Sequence, residues 1–429
     1  MLPHKHTRAI GKTLKRAMRL RGGGSALPGL VVEKLDRNFL PRALSELPHG
    51  VVVVSGTNGK TTTTKMVVQL LRSHGLKVFT NPSGSNFTRG IVASLLDHVG
   101  PDGKLDADIA VIELDEAHAV HFVRQVTPRY SLILNVLRDQ LDRFGEIDHT
   151  ARLLAKVVEA TTEGVVLNRE DDLVRRLSTH VPKDQKVQYF GLSSELRSQF
   201  PSDAELHGGE RSKSETPSPH KGDVILESVD GKSAVFSFGN KAQAPVELKI
   251  DGLYNVLNAA AALTLARLIL SATSEQSQKL LSELRDVRPA FGRGEAVQID
   301  GEPLEIVLVK NPSGFRLALS SYANTPAKTM IAINDNYADG RDMSWLWDVN
   351  FESLGGCGVD MVSGTRAYDM ALRLQYDLVD VVSVDTSLAQ ALRSFVAKTS
   401  GPRRIYCTYT AMLALRRELS KTHSLEPIE

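Results

Sequence analysis

Residues 51–62 read VVVVSGTNGKTT: four valines, a glycine-rich turn, a lysine and paired threonines in direct succession. An unbroken valine run suits a strand covered on both faces, as in a parallel sheet under helices. The turn that follows supplies what a phosphate group needs. Backbone N–H groups of Gly56, Thr57, Asn58 and Gly59 can surround phosphate oxygens, Lys60 brings charge, and Thr61 offers a hydroxyl to Mg2+, with Thr62 beside it. The usual phosphate loop, G-x-x-x-x-G-K-[ST], would need glycine at Val54, so G-T-N-G-K-T-T is a shorter variant. The stretch predicts a buried strand, a phosphate cradle and a helix, in that order.

Outward from this loop, apolar strands alternate with amphipathic helices from Gly50 to about Ile299, which predicts a parallel α/β sheet. The strands are KVFT (77–80), DIAVIEL (108–114), YSLILNV (130–136) and GVVLN (164–168), with helices over 61–74, 150–162 and 253–271. Between about 193 and 221 the chain turns polar and loses apolar periodicity, the pattern of a mobile loop. DVILESV and SAVFSF, separated by an Asp-Gly turn, predict a hairpin. After Asp300 a second α/β pattern begins, with strands EIVLVK, TMIAIND, VDMVSG, LVDVVSV and RRIYCTY and helices near 313–322 and 365–375. That is the pattern of a small doubly wound domain. Three segments are expected: 1–49, a basic stretch joining the central domain; 50–299, a nucleotide-binding domain with a polar insertion near 193–221; and 300–429, a smaller C-terminal α/β domain.

No apolar run approaches the eighteen or so residues of a membrane span, so no spanning helix is expected. A net charge of +2 makes no case for an acidic partner, and no nucleic acid is expected to bind. The distribution of charge says more. Lys5, Arg8, Lys12, Lys15, Arg16, Arg19 and Arg21 all precede the first acidic residue, Glu33, while Ile10, Leu14 and Met18 recur at helical spacing. A basic amphipathic helix follows, which either rests on anionic headgroups at the inner face of the membrane or packs on the domain with its lysines solvated. The second reading is the plainer. Scarce serine argues against a transit peptide, and no apolar signal-peptide core is present. Cysteine occurs only at 357 and 407, which makes neither a disulfide framework nor a four-cysteine zinc site and points to a reducing cytoplasm.

DIAVIELDE ends a buried strand on Glu113, Asp115 and Glu116, at the strand end where α/β sheets place their ligands. The short loop, this strand end, NVLRDQLDRFGEID (135–148) and DGLYNVLNAAAA (251–262) resemble the Mur ligases and folylpolyglutamate synthases, which join a carboxylate to an amine through an acyl phosphate. The resemblance implies ATP and Mg2+, with Glu113 and Thr61 as metal ligands. It turns Asn255 and Asn258 towards the nucleotide; three apart, they share a helix face and can read an adenine edge. Arg293, in FGRGE near the domain joint, suits a nucleotide phosphate. Gln140 stands where many of these enzymes carry a metal-binding histidine, and its amide oxygen is a weaker ligand.

NPSGF (311–315), INDNYADGRDMSWLWDVNFE (333–352) and SGTRAYDMALRLQY (363–376), together with NPSGSN (81–86), resemble the MurT family, the ligase subunits of lipid II isoglutaminyl synthases. The resemblance implies a reaction: ATP phosphorylates the α-carboxylate of D-glutamate in the lipid II stem peptide, and ammonia displaces the phosphate to leave D-isoglutamine. Lys60, Thr61 and the metal would stabilise the transferred phosphoryl group. The ammonia source lies elsewhere. Gly355-Gly356-Cys357-Gly358-Val359 lacks the last glycine of a G-x-C-x-G elbow and runs into a strand rather than a helix, so Cys357 reads as structural. The family implies a heterodimer with a GatD-type glutaminase, whose Cys–His pair takes an aspartate from the ligase subunit. By motif that donor is Asp348, with Asp339 and Asp342 as local competitors. Trp345 and Trp347 flank the segment, as a partner anchor or as core of their own domain. Many family members carry a four-cysteine zinc ribbon in the central domain; His207 and His220 lie near that place without cysteines, and zinc is not expected. Rival readings are a ligase using an amino acid as its amine and a scaffold whose nucleotide site regulates assembly.

Overall fold

A computed structural model of the chain describes residues 4–20, 26–81, 86–100, 102–137, 147–197, 200, 205, 216–250, 253–287, 293–323, 325–423 and 425. The first sheet is built from β1 (Val51–Ser55), β2 (Val78–Thr80), β3 (Ile109–Glu113), β4 (Tyr130–Ile133), β5 (Gly164–Asn168), β6 (Lys186–Leu192), β7 (Val224–Asp230), β8 (Ser233–Phe238), β9 (Lys241–Ala242) and β10 (Val246–Glu247). Their order is β10-β8-β7-β6-β5-β4-β1-β3-β2, with β9 on β8. From β2 across to β7 the pairing is parallel. The expected hairpin reverses it: β7 and β8 pair antiparallel around Gly231, at φ 57°, so the parallel sheet carries an antiparallel edge.

The valine run sits at the centre of this sheet because both its faces are covered. Val52 and Val54 pack with Met66 and Leu70 of the helix Lys60–Ser73 and with Ala259 and Leu263 of the helix Leu253–Ile269. Val51 and Val53 face the other way, onto Ile91 and Leu95 of the helix Thr88–His98 and Leu154 and Val158 of the helix Ile147–Ala160. Each such burial is worth about 2 kcal/mol, which anchors the loop that follows. β1 lies between β3 and β4, and the chain fills the β3 side before crossing to β4. Ligands of open α/β sheets bind at such a reversal, and the 56–59 loop occupies it.

The helix His4–Leu20 packs on the helices Ala26–Leu35 and Thr88–His98. Gly11 permits the approach, since a Cβ there would meet Val32 at 2.7 Å and Leu96 at 2.9 Å. Lys15 reaches across to the Ala93 carbonyl (2.6 Å) and Asp97 (2.7 Å).

The second sheet contains β11 (Arg293–Ile299), β12 (Glu302–Leu308), β13 (Lys328–Ala332), β14 (Met361–Ser363), β15 (Val384–Asp385) and β16 (Arg403–Cys407), in the order β11-β12-β16-β13-β14-β15. β12 to β15 run parallel, with Ile331, Ile333 and Tyr406 packed on Phe315 and Met370 on one face. Met330, Ala332 and Ile405 meet Leu392, Phe395 and Met412 on the other. The doubly wound pattern is therefore present, with one correction. β11 pairs antiparallel with β12 through a turn at Asp300 and Gly301 (φ 54° and 82°). Residues 293–299, assigned from sequence to the 50–299 segment, thus pack with the C-terminal unit. Gln140 and His207 lie outside the described residues, as does the Arg293 side chain.

Candidate active site

Two glycines shape the loop. Gly56 and Gly59 both have left-handed φ, 128° and 87°. A Cβ at Gly56 would also strike the Asn135 backbone at 2.9 Å, and one at Gly59 the Asn258 amide at 2.6 Å. The loop is clamped from the end of β4: Asn135 accepts from Thr57 N (3.0 Å) through its carbonyl and from Asn58 N (2.8 Å) through Oδ1, while its Nδ2 donates to Asn58 O (3.0 Å). Leu137 N donates to Thr57 Oγ1 at 3.0 Å. Gly59 caps the helix Lys60–Ser73 without a side chain, so first-turn N–H groups are left to an anion. The Thr62 hydroxyl in that turn is buried with no partner among the described residues, like those of Thr63 and Thr64 behind it. Asn258 thus stands directly against the loop, and half-buried Asn255 lies one turn earlier on its helix.

The carboxylates after β3 divide three tasks. Glu113 Oε1 accepts from Thr61 Oγ1 at 2.8 Å, which joins the two expected metal ligands. Its backbone is fixed by Asn81, which donates to Glu113 O (3.0 Å) and accepts from Glu113 N (2.9 Å). Asp115 is spent on structure: it caps the helix Glu116–Val123 by accepting from Ala117 N at 3.0 Å. Glu116, buried, pairs with Lys60 at 3.7 Å. Two oxygen donors of this kind suit Mg2+, a hard cation that completes its shell with water and phosphate oxygens.

Lys60 is held tightly, donating to the Gly56 carbonyl and to Thr57 O at 3.1 Å. Burial pushes the Glu116 carboxyl up, but Lys60, its own backbone N–H, Lys310 and the Thr57 hydroxyl outweigh that and hold it below the usual carboxylate range. Lys310 comes from the second sheet, just beyond β12, and its Nζ lies 3.5 Å from Thr57 O. Beside it Asn311 Nδ2 donates to Asn58 Oδ1 at 3.2 Å, while Asn311 Oδ1 caps the helix Pro312–Ser321 through Gly314 N. The C-terminal unit therefore touches the loop itself. Polar atoms that are buried and have no partner among the described residues remain on both sides of this joint: Asn58 Nδ2 and Ser313 Oγ.

Sequence reasoning selected the loop residues, Thr61, Glu113 and Asn258, and the structure brings them together. It missed Glu116 as the partner of Lys60, and Lys310 altogether. Lys310 had a usable signal, a cation at the carboxyl end of a predicted strand. Arg293 opens β11 on the second sheet.

The aspartates 339, 342 and 348 lie in different settings. Asp339 is buried and accepts from Thr410 N (2.7 Å) and Asn336 N (3.2 Å); burial raises its pKa despite these bonds. Asp342 is bound to Ser344 N (2.9 Å), and its bonds to Ser344 lower its pKa. Asp348 is exposed, its backbone carbonyl accepting from Arg316 and its carboxylate without a partner among the described residues. The tryptophans split: Trp345 is in the core against Phe315, whereas Trp347 is half exposed and edge-on to Tyr376 at 5.1 Å. Cys357 is exposed in the turn ahead of β14, and Cys407 is buried, its thiol pushed up by burial and Asp339.

The sequence profile of the Mur ligase middle domain matches residues 54–266, and that of the MurT ligase C-terminal region matches 308–412. A Streptococcus pneumoniae protein named lipid II isoglutaminyl synthase (glutamine-hydrolyzing) subunit MurT is 30% identical over 93% of each chain. A Staphylococcus aureus protein of the same name is 31% identical over 89% of this chain and 87% of its own. Among solved structures, MurF of Acinetobacter baumannii superposes with a TM-score of 0.67 at 19% identity, covering 91% of this chain and 81% of that one. MurF ligase of Thermotoga maritima, solved with ADP, gives 0.66 at 18% identity over 90% and 84%. With the Mur ligase fold shared throughout and the full-length relatives alike in both halves, the chain belongs to the MurT family of Mur-type ligases.

Proposed function

We propose that this chain is the ligase subunit of a lipid II isoglutaminyl synthase, binding ATP at the 56–62 loop and activating the α-carboxylate of the stem-peptide D-glutamate. The observation that carries this reading is the meeting of Lys60, Glu116 and Lys310 at the loop, because it draws cations from both sheets to one phosphoryl position. A carboxylate oxygen attacks the γ-phosphorus and ADP leaves. Ammonia then adds to the acyl phosphate carbonyl, phosphate departs with the bonding pair, and a proton is lost to give the amide. The N–H groups around Gly59, Lys60 and Lys310 bind the phosphoryl oxygens, which lowers the cost of the charge that develops there. Thr61 and Glu113 would hold Mg2+, which supplies Lewis-acid stabilisation of the phosphates. Asn255 and Asn258 face the nucleotide, and Arg293 serves a phosphate from the joint.

Ammonia is supplied by a GatD-type glutaminase partner, to which Asp348 contributes its carboxylate. Supporting this is the setting of Asp348: exposed, its carboxylate without a partner among the described residues, and close in the chain to Trp347, whose ring meets Tyr376. Tyr368, Leu372 and Tyr376, at helical spacing on the helix Ala367–Tyr376, are exposed, as are Leu378 and Val382. Exposed apolar side chains in a row on one helix, with Tyr376 against Trp347, fit a protein interface.

The test is direct. Purified chain given lipid II, ATP, Mg2+ and ammonium is expected to yield isoglutamine-containing lipid II, and Lys60→Ala to abolish it. A product extended by an amino acid, or no product with ammonium abundant, would overturn the reading.

A further inference from the structure

The helix His4–Leu20 turns Thr7 and Gly11 to the domain, both buried. Its apolar stripe is not fully used there: Leu14 and Met18 are half-buried, and Ile10 is 41% exposed. Arg8, Lys12 and Arg16 recur every four residues and so form one row along the shoulder of the helix. From that row the solvent-facing arc runs across exposed Ala9 and Thr13 to Ile10. Lys15, outside the row, binds Ala93 O and Asp97, which engages that carboxylate. The Lys12 ammonium is held below its usual range by burial and by Arg8, with Asp97 acting the other way and Arg16 and Lys15 adding to the lowering. Like charges at this spacing repel, so the row is stabilised when counter-charge arrives from outside. Leu27, in the first turn of the next helix, is 43% exposed.

We infer that this face docks on an anionic phospholipid surface, with Arg8, Lys12 and Arg16 among the headgroups and Ile10 and Leu27 at the acyl boundary. The charges supply attraction, and the small residues of the arc let the helix lie flat. This deepens the reading of a lipid-linked substrate, which would lie in such a surface, but its test needs neither substrate nor catalysis.

The experiment is flotation of the full chain with its partner subunit on vesicles of phosphatidylcholine containing about one third phosphatidylglycerol, and on phosphatidylcholine alone. The protein is expected to float with the anionic vesicles at about 0.1 M salt, to release at about 1 M, and to ignore the neutral ones. Arg8→Gln, Lys12→Gln and Arg16→Gln together are expected to lower partitioning about a hundredfold, at about fivefold per charge. Ile10→Ser alone should lower it by less. Thermal unfolding and nucleotide binding should be unchanged in both variants, which separates lost docking from lost folding. Equal flotation on both vesicles, none on either, or a triple variant that partitions normally overturns the inference. Loss of amidation activity with flotation intact would instead count against the enzymatic reading.

Discussion

Glu116 is the residue on which the electrostatics of the loop turn. With Lys60 at 3.7 Å and Lys310 helping to lower its pKa, it is the counter-ion of two cations. Phosphate oxygens would take over that role, so Glu116 and ATP compete for the same lysines. Glu116→Gln is therefore expected to destabilise the nucleotide-free protein by about 3 kcal/mol, since it strands buried positive charge. The same change should tighten binding of a non-hydrolysable ATP analogue, and adding the analogue should raise the melting temperature of the variant more than that of the parent. Unchanged stability with weaker binding would refute the competition. Lys310→Met is expected to reduce the preference for that analogue over ADP, read by calorimetry, because its amine would face the terminal phosphoryl group. The loop itself was legible in sequence because a phosphate cradle is local: glycine, lysine and threonine lie within one turn. The surroundings of the lysine were not, because Glu116 and Lys310 reach the loop only when β3 and β12 are brought to the end of β1. Of the three carboxylates at this strand end, the family resemblance singled out Glu113 and gave Asp115 and Glu116 no separate role; their contacts distinguish a helix cap from a counter-ion.

At the level of elements, the loop depends on what stands behind the ends of β4 and β5. Asn135 clamps the loop, and the next residue, Val136, donates its N–H to Asp171 at 2.7 Å. Asp171 also caps the helix Asp172–Arg176 through Leu173 N and Val174 N, so one carboxylate ties a helix start to the strand end that holds the loop. Burial nonetheless pushes its pKa up to about 6. The sign follows from linkage. The folded protein holds this proton to higher pH than the unfolded chain does, so the contribution is most favourable below about 4 and is lost as pH rises to about 6. The full excursion is roughly 3 kcal/mol. Urea midpoints measured from pH 4 to 7 should fall less steeply with pH in Asp171→Asn than in the parent; parallel curves would exclude the group. Elements were legible wherever both faces of a strand are apolar, as for VVVV and GVVLN. β11 escaped because its assignment depends on pairing with β12 across Asp300 and Gly301, and the alternation of RGEAVQI alone does not say which sheet it joins.

Across the whole molecule, the proposed function assigns each of the two sheets one half of a coupled reaction. The loop and its lysines stand at the joint, where Asn311 of the second unit meets Asn58 of the first. Asp348 lies on an exposed turn of the same second unit, beside an apolar surface. On the proposed function the C-terminal domain both completes the phosphoryl site and carries the glutaminase, so activation and ammonia supply share one domain. Asp339 and Asp342 are poorer acceptors for a partner's histidine, since one is buried and bonded to Thr410 and the other bound to Ser344. Motif reading singled out Asp348 and left the other two as competitors; their hydrogen bonds weigh against them. Trp347→Ala combined with Leu372→Ser is expected to weaken subunit association in sedimentation without altering nucleotide binding. Asp348→Asn keeps the shape of the turn and removes only the charge. It should cut glutamine-dependent amidation by a factor of a hundred or more, on the order of what a mispositioned catalytic histidine costs. Ammonium-dependent amidation by the same complex should stay within about twofold, because no step at the phosphoryl site uses that carboxylate. Equal loss of both activities would place Asp348 in the ligase chemistry or the fold instead, and retention of both would remove it from the mechanism.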